Sequence, residues 1–471
     1  MGSIEAHAST LSWGDILAIC LRKGRPVVRI ACVALLRTLI VIAPVVLAFL
    51  IARNTRDNSH CDEYVHINAF EYFQTHWQRP PIGSDQVLYS VNGISRVYNG
   101  EIVYLIFGKA GALLRHFFPH SDPYYIYRAC NISLLGITLV VLVSMRCSWF
   151  SPWLLALFVV CIPQVIYTYA YANSDAFGVS ASVLLFAHVA CILDSPPRQW
   201  GIIRIAVLAL LILLTLLSKV AFELGIVLPS ILLVAYFVKT RTSPRWILLR
   251  IVLPLLVVYA LASWWNPAIS PWHARWQKQM MALREQKAIV GRRPSDPQPT
   301  FGGDYPTNFN GHYLAANHGT YSQIFTADHH AWLPYNAESF YGRFAYMLVV
   351  LPHWLYFSAA SIAIALIILT ILLMALNRRR IPWPIWLCLS TAPLLIAGNL
   401  FGSLYHSFHY DWQPQGRYLF ASLVPLFFLC FGTWSTERKW WRAVRCLAIL
   451  LLMPLCGYVL LQYVALNPFL R

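Results

Sequence analysis

The chain has 471 residues, of which 58% are hydrophobic and only 12% charged. That balance excludes a soluble globular protein, which would carry far more apolar surface than one core can bury. A formal net charge of +17 does not mark a nucleic-acid binder, because the basic residues are spread over many short connections; anionic lipid headgroups are the expected partner.

Apolar stretches of roughly 20 residues, the length that crosses about 30 Å of hydrocarbon as a helix, recur along the chain. About eleven are predicted, centred in 30–52, 124–146, 150–168, 176–193, 203–218, 222–238, 247–264, 345–376, 383–402, 417–433 and 443–465. The expected fold is therefore an all-α polytopic membrane protein, one transmembrane domain over 1–471. The first stretch has full length and no small-residue cleavage site after it, so it is expected to stay as an anchor. Arg22, Lys23, Arg25 and Arg29 precede it. Further basic residues fall in alternate connections: Arg198 and Arg204, then Lys239, Arg241 and Arg245, then Arg378 to Arg380, then Arg438, Lys439, Arg442 and Arg445. Positive charge marks the cytoplasmic side, which puts the N-terminus inside and the C-terminus outside. Of eleven cysteines only Cys61 sits well inside an external segment, and no disulfide framework or zinc-type spacing is read.

Between the first two spans, 53–123 is too long for a turn. It opens with Asp62, Glu63 and, four residues after the aspartate, His66. Helical periodicity is predicted over 63–77 and 99–118; in the second, Val103, Ile106, Phe107, Ala110, Leu113, Leu114 and Phe117 line one side and Lys109, Arg115 and His116 another. Such helices are expected to lie in the interface plane. "RPPIGSDQ" and "SVNGISRVYNG" read as connecting loop. Asp62 has two readings. One is a helix cap, since an acid at a helix N-terminus accepts orphan N–H groups. The other is a general base, with His66 on the same face and Glu63 turned away to orient a sugar or hold a metal.

Farther along, "YANSDAFG" (171–178) places Asn173 and Asp175 in a short turn that reaches the same side as Asp62, either as plain turn chemistry or as a second carboxylate of one site. In "LLSKVAFELG" (216–225), Lys219 and Glu223 stand four apart between two apolar spans. They either pair in a tight hairpin or leave Lys219 for a phosphate at headgroup depth. The second long external segment, 265–343, opens with an aromatic belt and two prolines, runs through a basic amphipathic stretch to Lys287, and then becomes Gly/Pro-rich. Pro352 lies inside the long apolar stretch that follows, so a short interfacial helix is expected to lead into it. "YDWQPQGRYLF" (410–420) sets Arg417 just after Gln415 and Gly416. A guanidinium matches a phosphate fork, although an interfacial anchor has the same charge. His406, His409, Asp411, His329 and His330 offer a metal site as a further alternative, with no diagnostic ligand spacing.

Taken together, Asp62-Glu63-Tyr64-Val65-His66, Asn173-Ser174-Asp175, Lys219 and Gln415-Gly416-Arg417-Tyr418-Leu419 resemble the GT-C superfamily of integral-membrane glycosyltransferases. More closely, the chain resembles a bacterial family catalogued as predicted membrane proteins. "ESFYGRFAYM" (338–347) is similar to that family's aromatic-Gly-x-Phe segment, with Ala345 where Gly is usual, and Cys61 stands where Pro often precedes the acids. The resemblance implies a transferase that takes sugar from a polyprenyl-phosphate donor on the external face, without a nucleotide-sugar fold. It implies Asp62, Glu63 and Asp175 as catalytic residues, Lys219 and Arg417 at the donor phosphate, and His66, Asn173, Gln415 and Tyr418 around the substrates. The acceptor is a glycan, a lipid-linked saccharide or a protein, and the membrane is the bacterial inner membrane with the site facing the periplasm. No cofactor is required by this reading, and a divalent metal stays open.

A transporter or flippase of a lipid-linked or anionic substrate is the alternative, and a non-catalytic scaffold a lesser one. Transport favours charges near the bilayer midplane and broken helices in paired positions, whereas here the ionisable residues gather near one surface. The topology is open to test: single cysteines at Ser84 and Ser295 are expected to react with an impermeant thiol reagent added from outside, and labelling only after permeabilisation overturns the assignment.

Overall fold

The computed structural model describes residues 26–60, 62–90, 95–266, 269, 275, 276, 278–280, 282, 283, 320–325, 331–409, 414–434, 437 and 439–470, with backbone only at 26–33 and 439. Cys61, Asp411, His329, His330, Ser295 and most of the 265–343 segment lie outside them.

Helices dominate, and the sequence shows why several start where they do. After α1 (Pro26–Asn54), α2 (Glu63–Thr75) and α3 (Val103–Phe117), α4 (Pro123–Ser144) begins at a proline whose preceding Asp122 accepts the Tyr124 N–H. Pro152 and Pro163 likewise open α5 (Pro152–Val160) and α6 (Pro163–Ala170). Proline lacks the N–H that would continue the preceding helix, so this pair bends by 81°. Then follow α7 (Asp175–Ile192), α8 (Ile202–Leu216), α9 (Val227–Thr240) entered by a 3-10 turn Val220–Ile226, and α10 (Pro244–Trp265) with a π-turn at Leu248–Val252. The chain continues through α11 (Trp332–Gly342), α12 (His353–Asn377), α13 (Trp383–His409), a second 3-10 turn Gly416–Ser422 into α14 (Leu423–Phe431), and α15 (Lys439–Leu460).

Each apolar stretch read from the sequence coincides with one of these helices, or with the bent α5–α6 pair at 150–168, but they are not equivalent. Among the described residues, eight helices are long and apolar enough to cross a membrane, or nine when the bent α5–α6 pair is one span. The other two stretches, Ile202–Leu216 and Gly416–Phe431, form helices short of a full crossing. The protein is an all-α, multi-pass integral membrane protein.

Packing refines one local expectation and corrects another. α2 is enclosed by protein: Val65, His66, Ile67, Ala69, Phe70 and Phe73 are buried, and the helix packs on α3 and α4 with its own apolar cluster. Gly108 makes this possible, because a Cβ there would stand 2.7 Å from the Phe70 carbonyl oxygen. α3 keeps an exposed apolar edge at Ile106, Leu113 and Phe117, as an interfacial helix does. Before α12, the predicted short helix is instead a two-residue antiparallel pairing, β1 (Arg343–Phe344) with β2 (Val349–Val350), and Pro352 sits at the helix cap.

The turn of that hairpin carries three successive left-handed residues, Ala345 (φ 49°), Tyr346 (φ 56°) and Met347 (φ 72°). This conformation costs a side-chain-bearing residue about 1–2 kcal/mol, a cost that glycine would avoid. Ala345→Gly is expected to change stability by no more than about 1 kcal/mol, since lost methyl burial offsets the relieved strain. Ala345→Val is expected to cost more than about 2 kcal/mol, a contrast that thermal unfolding in detergent measures.

Candidate active site

The two adjacent acids at the start of α2 part company at once. Glu63 turns inward and is fully buried against Arg128, which stands within α4. Arg128 donates its Nε–H and one Nη2–H to the two Glu63 oxygens at 2.8 and 2.7 Å. Its other three N–H groups reach the carbonyl oxygens of Ala52, Thr55 and Arg56 at the end of α1. All five guanidinium donors are thereby used. Glu63 Oε1 also accepts the Ala172 N–H at 3.0 Å. The expected contact of Glu63 with an acceptor or metal is therefore not what the geometry offers, because both carboxylate oxygens are occupied and enclosed.

Asp62 faces the other way. It is left-handed (φ 55°), and its carboxylate makes no helix-capping bond. Instead Oδ2 accepts from Arg96 Nη2 at 2.9 Å, and 38% of the side chain stays exposed. The Asp62 N–H donates to Tyr346 Oη at 3.2 Å, so the strained hairpin turn and the strained acid hold one another. His66 does not face the carboxylate as its spacing suggested. Its Nδ1 shares a 2.9 Å hydrogen bond with Tyr104 Oη, and burial, then the charges of Arg96, Lys219 and Arg417, hold its pKa well below the usual imidazole value. The His66 ring thus lies within the electrostatic reach of three cations.

Asp175 is the second carboxylate. It opens α7 almost without exposure, and Lys219 Nζ lies 2.7 Å from Oδ1 while Arg417 Nη1 lies 3.4 Å from Oδ2. The pairing of Lys219 with Glu223 that the i,i+4 spacing allowed is not formed. Arg417 Nε donates to Gln415 Oε1 at 2.7 Å and Nη1 to Tyr171 Oη at 2.9 Å. Lys219 stands 4.5 Å over the Tyr418 ring. The two 3-10 turns that carry Lys219 and Arg417 at their starts pack on one another, and Gly416 is required there because a Cβ would run into the Phe340 backbone of α11. Beside Arg417 a small crevice is lined by Gln164, Tyr171, Met347 and Gln415.

Asn173 is brought to the site but its side chain is spent on the fold. Nδ2 bonds the Thr168 and Tyr171 carbonyls and Oδ1 accepts the Ala176 N–H, capping α7. The side-chain oxygen and amide N–H groups that the expected substrate contact of Asn173 would use are thus engaged within the protein. Two residues that the sequence reading passed over matter more. Arg128 had a signal, a lone charge inside an apolar stretch. Arg96 had none, lying in a turn-rich loop, yet its Nε–H is buried with no partner among the described residues. Burial alone would lower the Arg96 pKa, but Asp62, Tyr104, Glu101 and Tyr418 outweigh it and raise it, so the third cation is permanent. Among the described residues no three metal-type ligands gather; His409 bonds Tyr321 Oη.

A family model described as "Predicted membrane protein (DUF2142)" matches residues 50–427, which contain every residue of this cluster. No curated protein and no solved structure matches the chain.

Glu63→Gln or Arg128→Met is expected to lower stability by about 3–5 kcal/mol, the cost of leaving half of a buried ion pair. Replacing both residues by methionine should recover part of that loss. Unfolding temperatures in detergent read the effect, and a Glu63→Gln protein that melts like the wild type would show that the clamp is not what Glu63 provides.

Proposed function

The chain belongs to the DUF2142 family of predicted membrane proteins, and we propose that it is a membrane glycosyltransferase of GT-C type, moving a sugar from a polyprenyl-phosphate donor to an acceptor hydroxyl. The observation that carries this reading is the convergence of Arg96, Lys219 and Arg417 around His66, with the half-exposed Asp62 carboxylate attached to one of them. Cations that converge at the ends of apolar helices suit a phosphate at headgroup depth, and a carboxylate open to solvent suits a hydroxyl arriving from water.

In this reading the donor phosphate takes the place beside Arg96 Nε, Lys219 and Arg417, and Asp175 holds the last two in position before it arrives. The phosphate competes with Asp62 for Arg96, which releases the carboxylate to act. Asp62 removes the acceptor O–H proton as that oxygen bonds to the anomeric carbon from the face opposite the phosphate. The carbon–oxygen bond to phosphate breaks with its electron pair, and the cations stabilise the added negative charge on the departing polyprenyl phosphate. The product is inverted. A narrow, mostly apolar cleft beside both 3-10 turns, lined by Phe186, Leu228, Leu395 and Val424, is the surface against which the isoprenoid chain would lie.

The same reading puts the site on the periplasmic face of a bacterial inner membrane, with the N-terminus in the cytoplasm. Nucleotide sugars are not available on that face, which is why a lipid-linked donor is the fitting substrate. The acceptor is a glycan, a lipid-linked saccharide or a protein.

The test is transfer from a panel of polyprenyl-phosphate sugars, read as release of polyprenyl phosphate. Asp62→Asn is expected to lower turnover about a hundredfold or more with donor binding kept, since asparagine keeps the size and loses the proton acceptor. Arg417→Lys should weaken donor use because a point charge does not reproduce a planar fork. Near-normal turnover in Asp62→Asn removes the general-base assignment, and a wild-type protein that releases polyprenyl phosphate from no donor in the panel counts against the transferase itself.

A further inference from the structure

Asp62 stands where a helix cap belongs, and it does not cap. An aspartate at the start of a helix ordinarily adopts extended backbone and turns its carboxylate onto the N–H groups of the first turn. Here Asp62 is left-handed (φ 55°), and those N–H groups have other acceptors. The Glu63 N–H donates to the His60 carbonyl at 3.4 Å and the Tyr64 N–H to Asn58 Oδ1 at 3.4 Å. The Val65 and His66 N–H groups donate to the Asp62 carbonyl at 3.0 and 3.2 Å. The Asp62 carboxylate is thereby left to Arg96 and to solvent.

The backbone conformation that frees the carboxylate is one that a residue with a side chain avoids, so packing has to hold it. On one side Glu63 is clamped by Arg128. On the other, the Asp62 N–H donates to Tyr346 Oη at 3.2 Å. That hydroxyl is itself well placed. Tyr346 lies in the left-handed turn between β1 and β2, where the Ala345 N–H donates to Tyr167 Oη at 3.0 Å and the Arg343 N–H to Gln164 Oε1 at 3.1 Å. Both acceptors belong to the buried helix α6, so the hairpin presents Tyr346 from a fixed support. A return of Asp62 to extended backbone turns φ through more than a right angle. With α2 held in place, that rotation carries the N–H off Tyr346 Oη.

We infer that Tyr346 is a positioning residue for the proposed transfer, acting through Asp62: its hydroxyl holds the acid in the non-capping conformation that keeps the carboxylate open to an incoming hydroxyl. The catalytic consequence rests on the transferase reading; the conformational one rests on the hydrogen bond. The arrangement sets stability against activity. Without the Tyr346 hydroxyl, Asp62 relaxes to extended backbone and its carboxylate turns onto the Tyr64 and Val65 N–H groups, which relieves strain and withdraws the proton acceptor.

Tyr346→Phe keeps the ring and the turn and removes only the hydroxyl. Hydrogen–deuterium exchange of the purified full chain in detergent is expected to show the Asp62 amide exchanging about tenfold faster in this variant, as for the loss of one hydrogen bond. In transfer from a polyprenyl-phosphate sugar, kcat is expected to fall about tenfold with the donor KM kept within about twofold. The melting temperature is expected to stay within about 2 °C of the wild type or to rise. A tyrosine that serves only the fold gives a different pattern, a lower melting temperature with kcat per folded molecule unchanged, and that result overturns the proposal. Unchanged exchange of the Asp62 amide also overturns it, whatever the activity. Faster exchange together with a wild-type protein that turns over no donor removes the transferase reading instead, and with it the catalytic role of Tyr346.

Discussion

The Arg128–Glu63 pair is the constraint on which the rest of the site depends. One guanidinium ties the end of α1, the start of α2 and the body of α4, and through Glu63 it also holds the backbone of the Ala172 turn. A charge enclosed among apolar helices is tolerated only when every donor has a partner, and here each does. The consequence is geometric. Asp62 precedes Glu63 by one residue and Asp175 follows Ala172 by three, so the clamp that fixes Glu63 also fixes where both free-standing carboxylates emerge.

Those two carboxylates then do unlike things because their surroundings differ. Asp175 is buried between Lys219 and Arg417, so it acts as a counter-ion that preorganises two cations. Asp62 is more than a third exposed and has one cationic partner among the described residues, Arg96, which is what the proposed role of proton acceptor requires. The neutral His66 and its Tyr104 partner fill the space between without adding charge. Strain is concentrated in the same place: Asp62 and Tyr346, both left-handed, are joined by a hydrogen bond, and neither conformation would persist without the packing of the hairpin on α6 and α11.

Hydropathy alone was enough to establish an all-α membrane protein and the position of each apolar helix, because burying twenty residues in hydrocarbon leaves a compositional trace that no packing detail can erase. Order along the chain also sufficed to name Asp62, Asp175, Lys219, Arg417 and Gln415, since polar residues at span ends stand out against lipid-facing sequence. What the sequence could not determine was who pairs with whom. Lys219 and Glu223 have the spacing of a helical pair, yet the backbone at 220–226 is a 3-10 turn and Lys219 reaches across to Asp175. Asp62 and Glu63 are neighbours in sequence but face opposite sides, and only the position of Arg128, sixty-five residues from Glu63, decided which one would be buried. Arg96 and the bend at Pro163 belong to the same class. Partners distant in the chain leave no periodic or local signal, so the division of labour between the two acids was decided by tertiary structure alone.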